Sequence, residues 1–398
     1  MMSKQKVLVI NAGSSSIKLS LFDKASLEII ASGIAERITL LEGKITIKYN
    51  GQKFNRDVTM PNHTVAVENI LELMSQIGLI DNPKEIELIG FRVVHGGPYF
   101  TTTVKLNTKE IDLIEKAKIY APLHNPGAVQ AMKAFKKVMP HAKMSVDFDT
   151  AFHTTIPDVN AIYPIPYQWT EDLKIRRYGA HGISHEFITL KIQELVKKEK
   201  VNLVNLHIGN GASLCAIKDR KSFDTSMGLT PLAGIMMGSR SGDIDPSIHE
   251  FINEQLGLDI HQITEALNKK SGLLGVSGVS SDMRDVCKAA DEGNKRAIFT
   301  LELYAQKIAD FTANYANKIG NKLDAIVFTA GVGENTPSMR QMVVDKLHFA
   351  KIKLDDKKNN SKIEDYALIS TKDSEIKVYV IRTNEELLIA KHAINLYK

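Results

Sequence analysis

The residues of this chain best suited to chemistry sit in short glycine-containing tracts that follow apolar runs. Asn11-Ala-Gly-Ser-Ser-Ser16 and His207-Ile-Gly-Asn-Gly211 combine glycines with small polar side chains. Glycines there let backbone N–H groups converge, which suits an anion such as phosphate. Lys18 adds a charge beside the first tract. Gly331-Val-Gly-Glu-Asn335 follows a strand-like run and precedes a helical pattern, a usual place for the phosphate or adenosine end of a nucleotide. Each tract alone reads equally well as a structural turn. A nucleotide site shared by all three is the stronger reading.

Arg92 and Arg240 are expected in glycine-containing turns just after apolar runs, where a guanidinium recognises carboxylate or phosphoryl oxygens in bidentate fashion. A structural salt bridge is the competing reading for either one. Asp149, at the end of a strand-like run, and Glu385 are oxygen donors of the kind that hold Mg²⁺ through water. A helix N-cap is the alternative for Asp149, and a capping-box acid for Glu385. His124 and His181 lie in loops flanked by Pro or Gly, where a lone histidine is commonly structural, and His95, His153 and His207 read the same way. The tract 239–245, SRSGDID, is too polar and glycine-rich for a core and reads as an active-site loop.

The elements that must position these residues repeat. Residues 7–23 (VLVINAGSSSIKLSLFD) align without a gap on 203–219 (LVNLHIGNGASLCAIKD), so that Gly13 falls on Gly209 and Asp23 on Asp219. Two apolar runs joined by a Gly/Asn-rich turn signal a β-hairpin. A copy in each half of the chain signals a duplicated domain, each half contributing one hairpin to a polyphosphate held in a cleft between them. Strands followed by helix–strand alternation predict α/β domains with mixed sheets. The boundary is placed at Asp149, giving domains 1–149 and 150–385, with a C-terminal helix over 386–398 completing the first. The Pro-rich stretch 156–168 has few periodic signals and is expected to wrap the surface.

The chain has 398 residues, 51 basic and 46 acidic, with 43% apolar and 24% charged residues. That length suits two domains, and the near balance of charge, without a block of one sign, speaks against nucleic-acid binding. Cys215 and Cys287 are too few and too far apart for a disulfide framework or zinc site, which fits a reducing cytoplasm. No apolar stretch approaches the roughly 18 residues of a membrane span, and Lys4 and Lys6 precede too short an apolar run for a signal peptide. No P-loop G-x-x-x-x-G-K-[ST] is present; His185-Glu186 and His249-Glu250 lack the second histidine of a metalloprotease helix; and Ser15-x-x-Lys18 lacks its β-lactamase companions.

Taken together, NAGSSSIK (11–18), RVVHGG (92–97), APLHNP (121–126), FDTAFH (148–153), GAHG (179–182), HIGNGAS (207–213), DTSMGLTPLAG (224–234), GSRSGDIDP (238–246), AGVGEN (330–335) and TNEE (383–386) resemble the acetate kinase family, in its order and over almost the whole chain. The resemblance implies two duplicated actin-like (ribonuclease H-like) domains with the active site in the interdomain cleft, and a phosphotransferase with a carboxyl acceptor. The reaction would be reversible transfer of the ATP γ-phosphoryl group to acetate, giving acetyl phosphate and ADP, with Mg²⁺ (or Mn²⁺ standing in). A cytoplasmic homodimer is implied as well.

Carried over by motif, Asn11, Asp149 and Glu385 would organise Mg²⁺ and its waters. Arg92 and Arg240 would hold the acetate carboxylate and the migrating phosphoryl, and His181 would donate to that phosphoryl. Lys18, His207, Gly209, Asn210, Gly211, Asp282, Arg284, Gly331, Gly333, Glu334 and Asn335 would serve ATP. Val94, Leu123 and Pro231 would enclose the acetate methyl group, with His124 in support. Ala12 stands where many members have cysteine and Ser239 where many have threonine, neither with an obligatory chemical role. Acetate is ionised at neutral pH and needs no general base, so Asp149 reads as a metal organiser. One methylene is worth only about 0.8 kcal/mol of transfer free energy, so Val94 favours acetate while leaving some activity on propionate. Propionate kinase is the alternative within this chemistry, and butyrate kinase fits the motifs less well. A nucleotide-gated binding protein of the same fold, or a sugar kinase, are the alternatives outside it.

Overall fold

The computed structural model describes residues 5–122, 124–320 and 322–398. The chain divides into two compact units, one formed by Met1–Phe152 with Asn384–Lys398, the other by His153–Thr383. The first thus runs three residues past Asp149 and includes Glu385, which the sequence reading had left with the second half.

The first unit is built on an eight-stranded sheet of β1 (Lys6–Ala12), β2 (Ser16–Asp23), β3 (Ile29–Glu36), β4 (Lys44–Tyr49), β5 (Gln52–Asp57), β6 (Ile86–Val93), β7 (Val104–Lys105) and β8 (Lys143–Phe148), in the order β5-β4-β3-β2-β1-β6-β8-β7. The second has a six-stranded sheet of β9 (Leu203–Ile208), β10 (Ala212–Lys218), β11 (Lys221–Thr225), β12 (Ala325–Thr329), β13 (Tyr366–Leu368) and β14 (Val378–Ile381), in the order β11-β10-β9-β12-β14-β13.

The repeat read from the sequence is a repeat of topology. In each unit three consecutive strands form an antiparallel meander, and two later strands add in parallel beside the first: β6 and β8 beside β1, β12 and β14 beside β9. A short antiparallel strand then closes that edge, β7 in one and β13 in the other. These are two mixed sheets flanked by helices, the duplicated actin-like arrangement expected. The first unit adds β4 and β5 at its other edge.

The central strands β1 and β9 are buried along nearly their whole length. Strands covered by helices on both faces lose the apolar–polar alternation of half-exposed ones. Over the second sheet lies the helix Lys295–Ile319, capped by the Asn294 side chain, which accepts from the Ala297 amide. Against the first sheet lies the helix Glu385–Leu396, begun by Asn384, whose side chain accepts from the Leu387 amide. It packs closely: a Cβ on Gly90 of β6 would come within 2.6 Å of the Ile389 side chain. His392 Nδ1 lies 2.5 Å from Asp147 Oδ1, and the Tyr397 hydroxyl donates to the Met144 carbonyl at 2.6 Å. These contacts fix the start of that helix, and Glu385 with it, to the first unit.

Two expectations are corrected. Arg92 lies inside β6 rather than in a turn, because the ladder to β8 runs on through Val93. Residues 331–335 are not an open glycine turn: Ala330–Asn335 is a short helix, entered through Ala330 at φ 64°. Residues 156–168, where periodic signals are few, contain wholly or partly the short helices Asp158–Ala161 and Tyr167–Leu173. Among the described residues no helix is long and apolar enough to cross a membrane.

Candidate active site

In the first unit the ladder sets three candidates side by side. Asn11 of β1 pairs with Lys18 of β2 on one side and Arg92 of β6 on the other. Strand pairing thus brings together residues more than seventy positions apart. With Val94 and His124 they line a cavity of about 180 Å³ beneath the β1–β2 turn. The Gly13 carbonyl of that turn is 3.0 Å from the His63 ring nitrogen Nε2. Gly127 approaches from below so closely that a Cβ there would lie 2.2 Å from the Gly13 carbonyl carbon. Leu123 lies outside the described residues.

Arg92 donates to both oxygens of Asp149, from Nε at 2.9 Å and Nη2 at 2.6 Å, and its Nε is 3.4 Å from Glu385 Oε2. Asp149 is buried, with 1% of its side chain exposed. Two carboxylates therefore share one guanidinium, and each group shows it. Burial opposes the charge on Arg92, but Asp149 and Glu385 together raise its pKa. Burial, with Asp149 and Glu386 adding to it, raises the Glu385 carboxyl to about 7 against the downward pull of Arg92.

This surplus of buried negative charge is what a cation would relieve. Asp149, Glu385 and Asn11 offer only oxygen, the donor Mg²⁺ prefers, and Mg²⁺ is commonly held by one or two carboxylates with waters and substrate phosphates completing its shell. Among the described residues no three or more His, Cys, Asp or Glu side chains close into a cage. An open half-shell is the form a nucleotide-bound Mg²⁺ takes, so the residues fit the ion.

In the second unit His181 sits just before the helix Gly182–Val196, in the left-handed region at φ 54°. Such a conformation is costly for a residue with a Cβ, and at functional sites it serves to aim a side chain. His181 Nε2 and Arg240 Nη1 each lie 3.7 Å from the point where a Cβ of Gly211 would stand. Both therefore face the β9–β10 turn at Gly211. Arg240 Nη1 donates to the Pro231 carbonyl at 3.1 Å and lies 3.7 Å from Met237 Sδ. Burial lowers its pKa, and among the described residues no carboxylate lies within 4.0 Å of it. His207 stacks on His181, ring centroids 4.2 Å apart.

Beside the turn opens a cavity of about 550 Å³. Gly209, Asn210, Asp282, Arg284, Gly331 and Asn335 all line it. Asn210 lies close against Gly238, where a Cβ would come within 1.9 Å of its Oδ1. Asp282 caps the helix Met283–Asp291 and pairs with Arg284 at 2.6 Å. Gly333 and Glu334 do not line the cavity. Gly333 packs on Phe328, and Glu334 Oε1 accepts from the Ala330 and Thr383 amides at 2.9 and 3.1 Å, bracing the short helix from behind. Leu273, Met283 and Val332 supply apolar wall that sequence reasoning missed. The one available signal was the S-S-D-M tract at 280–283, which is an N-cap pattern.

Residues 6–391 match the model of the acetokinase family. An acetate kinase of Mycoplasmopsis pulmonis is 57% identical over 388 residues, covering 98% of both chains. Among solved structures, Porphyromonas gingivalis acetate kinase matches with TM-score 0.94 at 38% identity, covering 99% of this chain and 100% of its own. A propionate kinase from Francisella tularensis matches with TM-score 0.92 at 39% identity, covering 98% and 100%.

Proposed function

This chain belongs to the acetokinase family, and we propose that it works as its acetate kinase relatives are named to work, passing the γ-phosphoryl group of ATP reversibly to acetate by direct in-line transfer. The observation that carries this reading is the convergence of His181 Nε2 and Arg240 Nη1 on the Gly211 turn. Two donors aimed at one point, beside a cavity lined by glycine backbone, suit the equatorial oxygens of a phosphoryl group in flight. Arg240 is available to neutralise that charge because, among the described residues, no carboxylate lies within 4.0 Å of it.

The first unit supplies the acceptor and metal end. Asp149, Glu385 and Asn11 would hold Mg²⁺, which when bound supplies charge neutralisation at the phosphates. Arg92, oriented by Asp149, presents its remaining N–H groups to the acetate carboxylate. Asp149 has both oxygens committed to Arg92, which suits positioning and not proton abstraction; acetate, already an anion, asks for no base. Val94, beside Arg92 in the same cavity, is the contact proposed for the methyl group. In the second unit Asn210, Gly211, Gly209 and Gly331 take the phosphates and nucleotide, while Leu273, Met283 and Val332 offer apolar surface to the base.

Propionate is the competing acceptor, favoured by the likeness to a propionate kinase. The same reading extends to a cytoplasmic homodimer, supported by the family and by two cysteines left free. Hydroxylamine trapping of acyl phosphate with Mg-ATP and acetate, propionate or butyrate tests the assignment. Acetate is expected to give the highest kcat/KM. Preference for propionate would overturn the Val94 argument, and no acyl phosphate from any acid would overturn the kinase reading.

A further inference from the structure

Behind His181 a row of buried polar side chains runs into the second sheet. Asn205 on β9 and His185 on the helix Gly182–Val196 are fully buried, as is Ser213 on β10. Asn205 Nδ2 is 2.8 Å from His185 Nδ1, His185 Nε2 is 2.8 Å from Ser213 Oγ, and Ser213 Oγ is 2.9 Å from His181 Nδ1. No step of the mechanism above uses the first three.

The direction of these bonds follows from counting protons. Burial, helped by His153 and His207, pushes the His185 pKa well below its ordinary value, so the ring is neutral. A neutral imidazole donates from one nitrogen and accepts at the other. The Asn205 amide nitrogen faces Nδ1, and its Oδ1 is buried without a partner. Turning the amide over would bury unpaired N–H groups instead, which folded proteins tolerate less than an under-used oxygen. Asn205 therefore donates to Nδ1, and His185 donates from Nε2 to Ser213. The single hydroxyl proton of Ser213 is then left to point at His181 Nδ1. With Nδ1 accepting, the ring proton of His181 must sit on Nε2, the nitrogen that faces Gly211 beside Arg240 Nη1.

We infer that Asn205, His185 and Ser213 are positioning residues that hold His181 as its Nε2–H tautomer, making it a neutral hydrogen-bond donor to the transferred phosphoryl and not an acid. The inference rests on the phosphoryl-transfer reading above. It also balances: the acetate oxygen forms its bond to phosphorus as the bond to the ADP oxygen breaks, and the Nε2 proton stays on His181 throughout. A protonated His181 would turn two N–H groups, its own and that of His185, onto one serine oxygen and leave the hydroxyl proton of Ser213 without its acceptor. The relay thus selects against the charged form as well as against the wrong tautomer.

The test uses the full chain labelled with ring-¹⁵N histidine, as wild type, Ser213→Ala and Ser213→Thr. In the wild type, His181 is expected to show an amine-like Nε2 and an imine-like Nδ1. Ser213→Ala is expected to mix the tautomers and lower kcat about 10- to 100-fold, with KM for ATP and acetate within about twofold; Ser213→Thr restores both spectrum and rate. A wild-type His181 protonated at Nδ1 would overturn the proposal, and that reading needs no variant to fold. So would a rate loss in Ser213→Ala that leaves the His181 spectrum unchanged, since it would mark a structural role only. Failure of the wild type to form acyl phosphate would instead strike the reaction assignment, leaving the tautomer measurement to be judged by itself.

Discussion

The two arginines placed for catalysis live under opposite regimes. Arg92 is clasped by Asp149 and faced by Glu385, so its charge is spent within the protein. Arg240 touches a carbonyl and a thioether and keeps its charge. Both sit against equivalent hairpins of a duplicated fold, so the topology does not decide which regime applies. The surrounding carboxylates do. In the proposed reaction one copy serves as acceptor and metal platform, while the other offers a half-buried arginine with no carboxylate partner among the described residues, suited to charge that appears only during transfer.

The sharpest way to break this comparison is to remove each cation. Arg92→Ala leaves Asp149 and Glu385 buried together without a counter-charge, and such breaks cost about 3–5 kcal/mol of stability. A large fall in the thermal midpoint is expected at pH 8, smaller at pH 5 where Glu385 can take up a proton. Arg240→Ala strands no charge, so its midpoint should stay near wild type while kcat falls about 10²–10³-fold, as for loss of a transition-state donor. Near-wild-type turnover in Arg240→Ala, or equal destabilisation by the two changes, would dissolve the distinction.

A buried histidine outside both sites gives a pH test of the second unit alone. His153 bonds the Ser222 hydroxyl and the Ala180 carbonyl, and burial lowers its pKa from 6.5 to about 4. The unfolded chain takes up this proton near pH 6.5 and the folded chain only near 4. Stability from this residue is therefore full above 6.5 and lost as the pH falls toward 4, by roughly 3 kcal/mol. Denaturant unfolding of wild type and His153→Gln across that window measures it; the same slope in both would contradict the assignment.

The smallest effects compare the hairpins. Gly127→Ala drives a Cβ into the Gly13 backbone, which cannot step aside, and about 1–3 kcal/mol of overpacking is expected. Gly238→Ala meets first the end of the Asn210 side chain, which can yield, with the Ser281 carbonyl oxygen at 2.9 Å as its nearest backbone neighbour. Its cost should be lower in stability and visible as a raised KM for ATP. Equal loss of stability in both would show that Asn210 is as fixed as backbone.

Much of this was legible in the sequence, for reasons that differ by residue. The β1–β2 and β9–β10 hairpins could be read because their strands are apolar or alternating runs and their turns carry glycine at matched positions. β3 and β5 were not, because Gly33 interrupts one and the other, QKFNRD, is a polar edge strand. Gly33 is needed there, since a Cβ would lie 2.7 Å from the Thr46 carbonyl oxygen of β4. Arg92 was expected in a turn because the glycines after it end the apolar run, yet hydrogen bonding to β8 carries the strand past it. Glu334 looked like a ligand and serves as a brace. The relay behind His181 joins residues up to thirty-two positions apart through partners that only folding selects, and no local pattern announces it.

The central claim is that these side chains position and neutralise while the phosphoryl group passes directly from ATP to acetate. The direct test is the stereochemical course at phosphorus with ATP made chiral at the γ-position by oxygen isotopes. A single in-line transfer predicts inversion in the acetyl phosphate formed. Retention would mean that a residue of the protein carries the phosphoryl group in between, and would contradict the account.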